Sequence, residues 1–163
     1  MENPSFILVN VREEKLTFFR DQRIVCEYPV STAKLGVGEE MGSNKTPRGW
    51  HYVRCKIGEN CPQNTVFVRR RPTGEIYSPE LALAFPNRSW ILTRILWLCG
   101  LEKGKNRFGS CDSMRRYIYI HGAPDTYPIG KPHSKGCINM HNKDIIALFD
   151  AVPLGTPVLI QAD

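Results

Sequence analysis

The chain has 163 residues, of which 42% are hydrophobic and 23% charged, a balance typical of a soluble globular protein. Its 13 glycines and 12 prolines are too few for a collagen-like or low-complexity chain. No stretch approaches the roughly 18 consecutive apolar residues of a membrane span, so we expect no membrane segment. The length suits a single domain over 1–163 that buries its core without needing disulfides or metal.

The net charge of +6 is spread along the chain, with clusters only at Arg69–Arg71 and Arg115–Arg116. A nucleic-acid-binding protein would need a basic face together with a known module or stacking aromatic residues. The sequence contains no such module, so we expect no nucleic-acid partner. The positive charge is expected to be solvated and to help gather an anionic substrate.

The first five residues carry no basic segment, and the apolar run that follows them stops after four residues, at Val9. This pattern does not resemble a secretory signal, so the sequence predicts a cytoplasmic protein with six reduced cysteines. Removal of a leader from the chain would leave the same pattern in a periplasmic protein.

The first half predicts short strands separated by turns, because residues with high β-propensity alternate with glycine, proline and asparagine. These strands are expected over 6–11, 15–19, 23–30, 50–56 and 65–69, with a glycine-containing loop over 31–48.

The second half predicts two helices and two strands. Ser89 could cap a helix that ends at Gly100, and Asn142 could cap a second helix that runs to Val152. A buried strand over 116–121 would deliver His121 to its end, and a last strand is expected over 157–161. The whole pattern predicts a mainly β fold with few helices.

Candidate chemistry concentrates around Cys137, because three of the four histidines lie in a window of 21 residues that surrounds it, at His121, His133 and His141. An imidazole can lower the pKa of a thiol or take its proton, and Gly136 would let nearby backbone N–H groups turn toward an oxyanion. The alternative is a buried structural cysteine beside surface histidines. The spacing of His133, Cys137 and His141 also resembles a zinc site, but Pro132 and Gly136 argue against the helix that would align them. We therefore expect no metal and no cofactor.

These residues resemble the YkuD family of L,D-transpeptidase catalytic domains. The family signature is a histidine–glycine step, a loop of about fifteen residues, and a Ser-His-Gly-Cys step followed by an aliphatic residue and Arg or Asn. The corresponding segments here are His121-Gly122, Ser134-Lys135-Gly136-Cys137-Ile138-Asn139 and, upstream, Ser31-Thr32 and Thr46-Pro47-Arg48-Gly49. The resemblance extends from about Ser5 to Ile160.

The resemblance implies a β-sandwich-like fold with a cysteine-containing cleft, and a role for each matching residue. Cys137 would be the nucleophile, His121 the base, and the carbonyl of Gly122 the group that orients the imidazole, although Asp125 is also near. The backbone N–H groups of Lys135, Gly136 and Cys137 would form the oxyanion hole. Substrate-binding roles would fall to Ser134, Lys135 and Asn139. Tyr119 is expected to line the cleft as well, because it precedes His121 by two residues and so faces the same side. Lys135 departs from the family, which usually has histidine there, so its role is open: it could depress the Cys137 pKa or hold a substrate carboxylate.

The implied partners are peptidoglycan stem peptides or muropeptides. In the cytoplasm, amine acceptors would be dilute and water abundant, so we expect an L,D-carboxypeptidase that removes terminal D-alanine from the L-centre of diaminopimelate during wall recycling. The alternative is an L,D-transpeptidase that forms cross-links or attaches proteins to the wall. A non-catalytic peptidoglycan-binding relative is a third, less favoured hypothesis, because His121, Gly136 and Cys137 are intact.

Overall fold

The computed structural model describes residues 5–163, so Met1–Pro4 lie outside the described residues. It contains ten strands, two helices and one 3-10 turn at Gly109–Cys111. The strands are β1 Ser5–Asn10, β2 Lys15–Arg20, β3 Arg23–Pro29, β4 Gly49–Ile57, β5 Thr65–Val68, β6 Arg71–Ile76, β7 Ile91–Gly100, β8 Tyr119–Gly122, β9 Ile138–Met140 and β10 Pro157–Gln161. The helices are α1 Pro79–Ala84 and α2 Asn142–Ala151. Within the described chain, neither helix is long and apolar enough to cross a membrane.

All ten strands belong to one mixed sheet, which confirms the prediction of a mainly β fold. Its main path runs β3-β2-β1-β10-β4-β7-β5-β6, and β8 and β9 extend from β7. Strand β7 is the branch point, because it pairs antiparallel with β4 through residues 95–100, with β5 through 91–92 and with β8 through 92–97. Two pairings are parallel, β1 with β10 and β8 with β9.

The main core lies where α2, β8 and β9 pack against the strands at the middle of the sheet. Its largest fully buried side chains are aliphatic or aromatic and are contributed by strands from both halves of the chain and by α2. They include Ile7, Leu16, Phe18, Leu96, Leu98, Ile120, Ile138, Met140, Ile145 and Leu148. The loop that carries the predicted site residues, at 133–137, therefore leads directly into the fully buried strand β9.

The predicted helix over 89–100 is wrong, because this segment forms strand β7. Eight of its ten residues are buried, so apolar side chains are needed on both faces of the strand. A continuous apolar run of this kind also matches the spacing of apolar residues on a helix face. Periodicity alone therefore cannot distinguish a buried strand from a helix.

The segment after Cys137 also differs from the prediction. Strand β9 lies between the cysteine and α2, where the sequence predicted no regular element. Asn142 does not cap α2: it is the first helical residue, and His141 occupies the capping position without a side-chain hydrogen bond. Strand β6 and helix α1 were not predicted; proline and glycine in β6 lower its β-propensity.

The segment at Ser31-Thr32 joins the β1–β2 turn to the loop that carries Cys137. The buried Glu14 carboxylate accepts hydrogen bonds from the backbone N–H and the hydroxyl of Thr32, at 2.8 and 2.5 Å. The Thr32 carbonyl in turn accepts from the backbone N–H groups of His133 and Ser134, at 2.8 and 2.9 Å. Ser31 exchanges two backbone hydrogen bonds with Asn139. A carboxylate in the first turn thus fixes the position of the signature loop.

We predict that Glu14→Gln lowers the free energy of unfolding by about 1–3 kcal/mol, because a carboxamide offers one acceptor oxygen where two are used. Urea titration of the purified protein measures the change. Glu13→Gln is the matched control, since Glu13 is exposed in the same turn, and its effect should stay within about 0.5 kcal/mol. Equal effects at the two positions would show that the buried carboxylate does not anchor Thr32.

Candidate active site

The parallel pairing of β8 with β9 brings the predicted nucleophile and base together. His121 is in register with Asn139, and Ile120 with Ile138. Residues in register point to the same face of a sheet, and so do residues two apart along a strand. His121, Asn139 and Cys137 therefore share one face, and all three line a single cavity.

The Cys137 sulfur is held against the backbone at the start of β8. Its S–H donates to the Tyr117 carbonyl, and the Tyr119 N–H donates to Sγ, both at 3.3 Å. Burial raises the pKa of the Cys137 thiol to about 11, although the Tyr119 N–H and the positive charge of Arg116 act to lower it. The resting group is therefore a neutral thiol at neutral pH.

The His121 imidazole is buried and held by its own strand. Its Nδ1 lies 2.7 Å from the Gly122 carbonyl oxygen. A carbonyl oxygen can only accept, so Nδ1 carries the hydrogen and Nε2 is left with a lone pair. Burial lowers the pKa of His121 to about 4, although the hydrogen bond to Gly122 raises it slightly. The imidazole is neutral at pH 7 and can accept a proton at Nε2.

Gly122 is fixed by close contacts that exclude a side chain. A Cβ at this position would lie 2.6 Å from the Leu92 carbonyl oxygen and also within contact distance of Asn142 and Thr93. Thr93 has a φ of 76°, a conformation that β-branched residues rarely adopt, at the bulge where β7 changes register against β8.

The Asn142 amide completes this support by donating to the Ala123 carbonyl at 2.9 Å. Its oxygen accepts from the Thr93 hydroxyl. The sequence assigned Asn142 to a helix cap and gave no role to Thr93. No local pattern marks this pair, because they are 49 residues apart.

The loop before β9 is braced by hydroxyl groups. The Ser134 hydroxyl donates to the Cys137 carbonyl and accepts from the Gly136 N–H, at 3.2 Å for the second contact. Buried Thr46 donates to the Gly136 carbonyl at 2.9 Å. Gly136 has a φ of 129°, which requires glycine, and a Cβ there would press on the Lys45 carbonyl. The Gly136 N–H already donates to the Ser134 hydroxyl. Of the three N–H groups expected to hold an oxyanion, those of Lys135 and Cys137 therefore remain as expected donors.

The cavity at the thiol has a volume of about 220 Å³. Of the residues predicted to bind substrate, Ser134, Lys135 and Asn139 line it, but Tyr119 does not. Aromatic side chains that the sequence did not single out form part of its wall. The full lining is Ser89, Trp90, Ile91, His121, Tyr127, His133, Ser134, Lys135, Cys137 and Asn139.

The structure also places Asp125 and Lys135, the two residues whose roles the sequence left open. Asp125 lines a different cavity, beside α1, while the Gly122 carbonyl contacts the imidazole. The positive charge of Arg116, whose guanidinium donates to the Lys45 carbonyl at 2.6 Å, acts to lower the Cys137 pKa, whereas Lys135 lies exposed at the cavity wall. In the sequence, Arg116 appeared only as part of a basic pair.

Over residues 5–163, no three His, Cys, Asp or Glu side chains lie together as metal ligands would.

A cysteine thiol beside a neutral buried imidazole, at the edge of a mixed sheet, is the arrangement used in cysteine-dependent acyl transfer. Residues 4–160 match the family model of the L,D-transpeptidase catalytic domain, YkuD. The chain belongs to that family, and the resemblance described from its motifs is confirmed.

Individual relatives agree with this assignment. The chain is 28% identical to YqjB of Bacillus subtilis (strain 168) over 99% of its own length and 76% of that protein. It is also 28% identical to YkuD of the same organism, over 97% of its length and 66% of that protein. Both carry provisional names as L,D-transpeptidases. A solved L,D-transpeptidase from Mycobacterium smegmatis superposes with a TM-score of 0.56 at 19% identity, over 98% of this chain but only 59% of that one, which supports the fold alone.

We predict that the alkylation rate of Cys137 by iodoacetamide rises about tenfold per pH unit from pH 6 to 9. A thiol whose pKa is raised to about 11 is almost fully protonated in this range, and only the thiolate reacts. Peptide mass spectrometry after brief labelling measures modification at Cys137 itself. A rate that is constant between pH 5 and 8 would instead indicate a preformed thiolate–imidazolium pair.

Proposed function

We propose that this chain is a cysteine L,D-carboxypeptidase that removes the terminal D-alanine from peptidoglycan stem tetrapeptides. The observation that carries the proposal is the shared cavity of Cys137 and the neutral His121, with Lys135 at its wall. Its membership of the L,D-transpeptidase family supports the substrate class, and the geometry supports thioester chemistry.

The reaction would proceed in two halves. The Cys137 S–H turns from the Tyr117 carbonyl toward His121 Nε2, which takes its proton as sulfur attacks the carbonyl carbon of the diaminopimelate L-centre. The oxyanion is held by backbone N–H groups of Lys135 and Cys137. The imidazolium then gives its proton to the departing amine, the C–N bond breaks, and a thioester remains. Water then attacks the thioester carbonyl carbon while His121 takes a proton from the water. The C–S bond breaks, the tripeptide leaves with a new carboxyl group, and the Cys137 thiolate recovers the proton from the imidazolium.

The size of the cavity supports water as the acceptor. Pockets for drug-sized ligands usually measure about 300–1,000 Å³. The cavity at Cys137 is about 220 Å³, a volume suited to one terminal residue rather than to a second stem peptide. A larger cavity of about 570 Å³ lies beside α1, but neither Cys137 nor His121 lines it.

Lys135 supports a requirement for a free carboxyl terminus. Its side chain is exposed at the cavity wall, and none of the ion pairs among the described residues involves it. An ammonium group there can hold the D-alanine carboxylate through a charge-assisted contact. The proposal also assigns the enzyme to wall recycling, in which soluble stem peptides are trimmed.

We expect the purified protein to release D-alanine from a disaccharide-tetrapeptide, as read by mass spectrometry. Cys137→Ala should abolish this release without changing thermal unfolding, and His121→Ala should slow acylation by about 10²–10⁴-fold through loss of the base. Cys61→Ala is the matched control, because Cys61 is a half-buried thiol in the same apolar cluster as Cys137. Accumulation of cross-linked dimers in place of free D-alanine would assign the alternative transpeptidase activity.

A second expectation concerns the terminal carboxylate. Lys135→Ala should raise KM more than it lowers kcat, because the contact binds the ground state and the transition state alike. A tetrapeptide with an amidated terminus should be a poor substrate of the wild-type protein, and the variant should discriminate less between the two peptides. Lys131→Ala removes the same charge from the same loop outside the cavity and serves as the control. Undiminished discrimination in Lys135→Ala would remove Lys135 from the site.

A further inference from the structure

A second polar feature lies beside the thiol but outside its cavity. We call it the Arg70 cluster, formed by Arg70, Trp97, Tyr117 and Tyr119. The Arg70 guanidinium lies 4.5 Å from the centroid of the Trp97 ring and 5.0 Å from that of Tyr117. Its Nη1 donates to the Tyr119 hydroxyl at 3.1 Å. Two aromatic faces and one hydrogen bond therefore hold the guanidinium in place.

The backbone that presents this guanidinium is unusual. Val68 pairs with Arg71, so Arg69 and Arg70 form a two-residue turn between β5 and β6. Both have positive φ, of 51° and 64°, in a turn where asparagine and glycine are preferred. Tyr117 also has a positive φ, of 58°. Strained residues of this kind persist where the surrounding structure holds them, and they concentrate at binding and active sites.

Arg70 has no acidic partner among residues 5–163. Other arginines of the chain do have one, since Arg48 pairs with Glu39 and Arg88 with Glu75. A guanidinium has five N–H donors in a planar fork that matches a carboxylate, and Tyr119 uses one of them. Arg70 thus offers an oriented, unpaired cation to an anion from outside the chain.

The position of the Arg70 cluster determines which anion it can bind. The two backbone groups that contact Sγ, the Tyr117 carbonyl and the Tyr119 N–H, belong to the residues whose rings hold Arg70. One tyrosine side chain separates the thiol from the guanidinium, a span of about two residues of extended peptide at ~3.3–3.6 Å each. A peptide that reacts at Cys137 is therefore long enough to span the separation from Sγ to Arg70.

We propose that Arg70 binds a carboxylate of the acyl-donor peptide other than its terminal one, and so selects acidic stem peptides. The inference rests on the proposed function, because it takes the stem peptide as the donor. The ligand is a carboxylate, because the planar fork of the guanidinium donors matches its two oxygens. Two groups share this chemistry, the second carboxylate of diaminopimelate and the carboxylate of the acidic residue before it.

The test is calorimetric binding of the tetrapeptide to Cys137→Ala protein, which requires no turnover. Adding Arg70→Gln should raise Kd about 10–100-fold, the usual range for a lost hydrogen-bonded charge pair. Arg69→Gln is the matched control, because it removes an equal charge from the same turn at an exposed side chain, and its Kd should stay within about twofold. Peptides amidated at one carboxylate or the other identify the group. The peptide whose amidated carboxylate is the one that Arg70 contacts should bind weakly, with the same Kd for the proteins with Arg70 and with Arg70→Gln.

An unchanged Kd in the Arg70→Gln protein, or an equal loss in the Arg69→Gln protein, would overturn the assignment. Thermal unfolding of each variant separates loss of binding from loss of fold. Failure of the wild-type protein to release D-alanine would contradict the proposed function instead, while these binding measurements would still decide the role of Arg70.

Discussion

The parallel pairing of β8 with β9 is the constraint on which the site depends. It joins two short strands that are separated by a loop, and its register alone puts His121 and Cys137 on one face. A shift of one residue would turn one of them to the opposite face. The register is held from both sides, by β7 along β8 and by the Ser31 segment along β9.

Burial sets the chemistry of this pair. Both groups are neutral in the resting protein, because burial lowers the pKa of the His121 imidazole and raises the pKa of the Cys137 thiol. In the proposed reaction the proton would therefore move from the thiol to the imidazole during the attack rather than beforehand. Arg116 and the Tyr119 N–H are already placed to stabilise the sulfur as it gains negative charge.

Besides Arg116, two further cationic side chains lie near the Cys137 sulfur. Lys135 is exposed at the cavity wall, and Arg70 is fixed over aromatic rings beyond the Tyr117–Tyr119 backbone. The two differ in freedom: a lysine stem can follow a mobile terminus, whereas a stacked guanidinium imposes one orientation. In the proposals made for Lys135 and Arg70, the chain would combine an adaptable contact with a rigid one, in keeping with its net positive charge.

The sequence by itself determined the family and predicted Cys137 and His121 as nucleophile and base, because the His121-Gly122 and Ser134–Asn139 segments are local and specific. It also predicted most strands, since their β-branched and aromatic residues lie in short runs bounded by turns. It could not distinguish β7 from a helix, because a strand buried on both faces loses its alternation. Only the tertiary structure decided that Asn142 and Thr93 hold Gly122, that Arg116 acts on the thiol, and that Arg70 lies beside it. Each of these contacts joins residues at least 19 positions apart, and no local sequence pattern encodes a contact formed by chain folding.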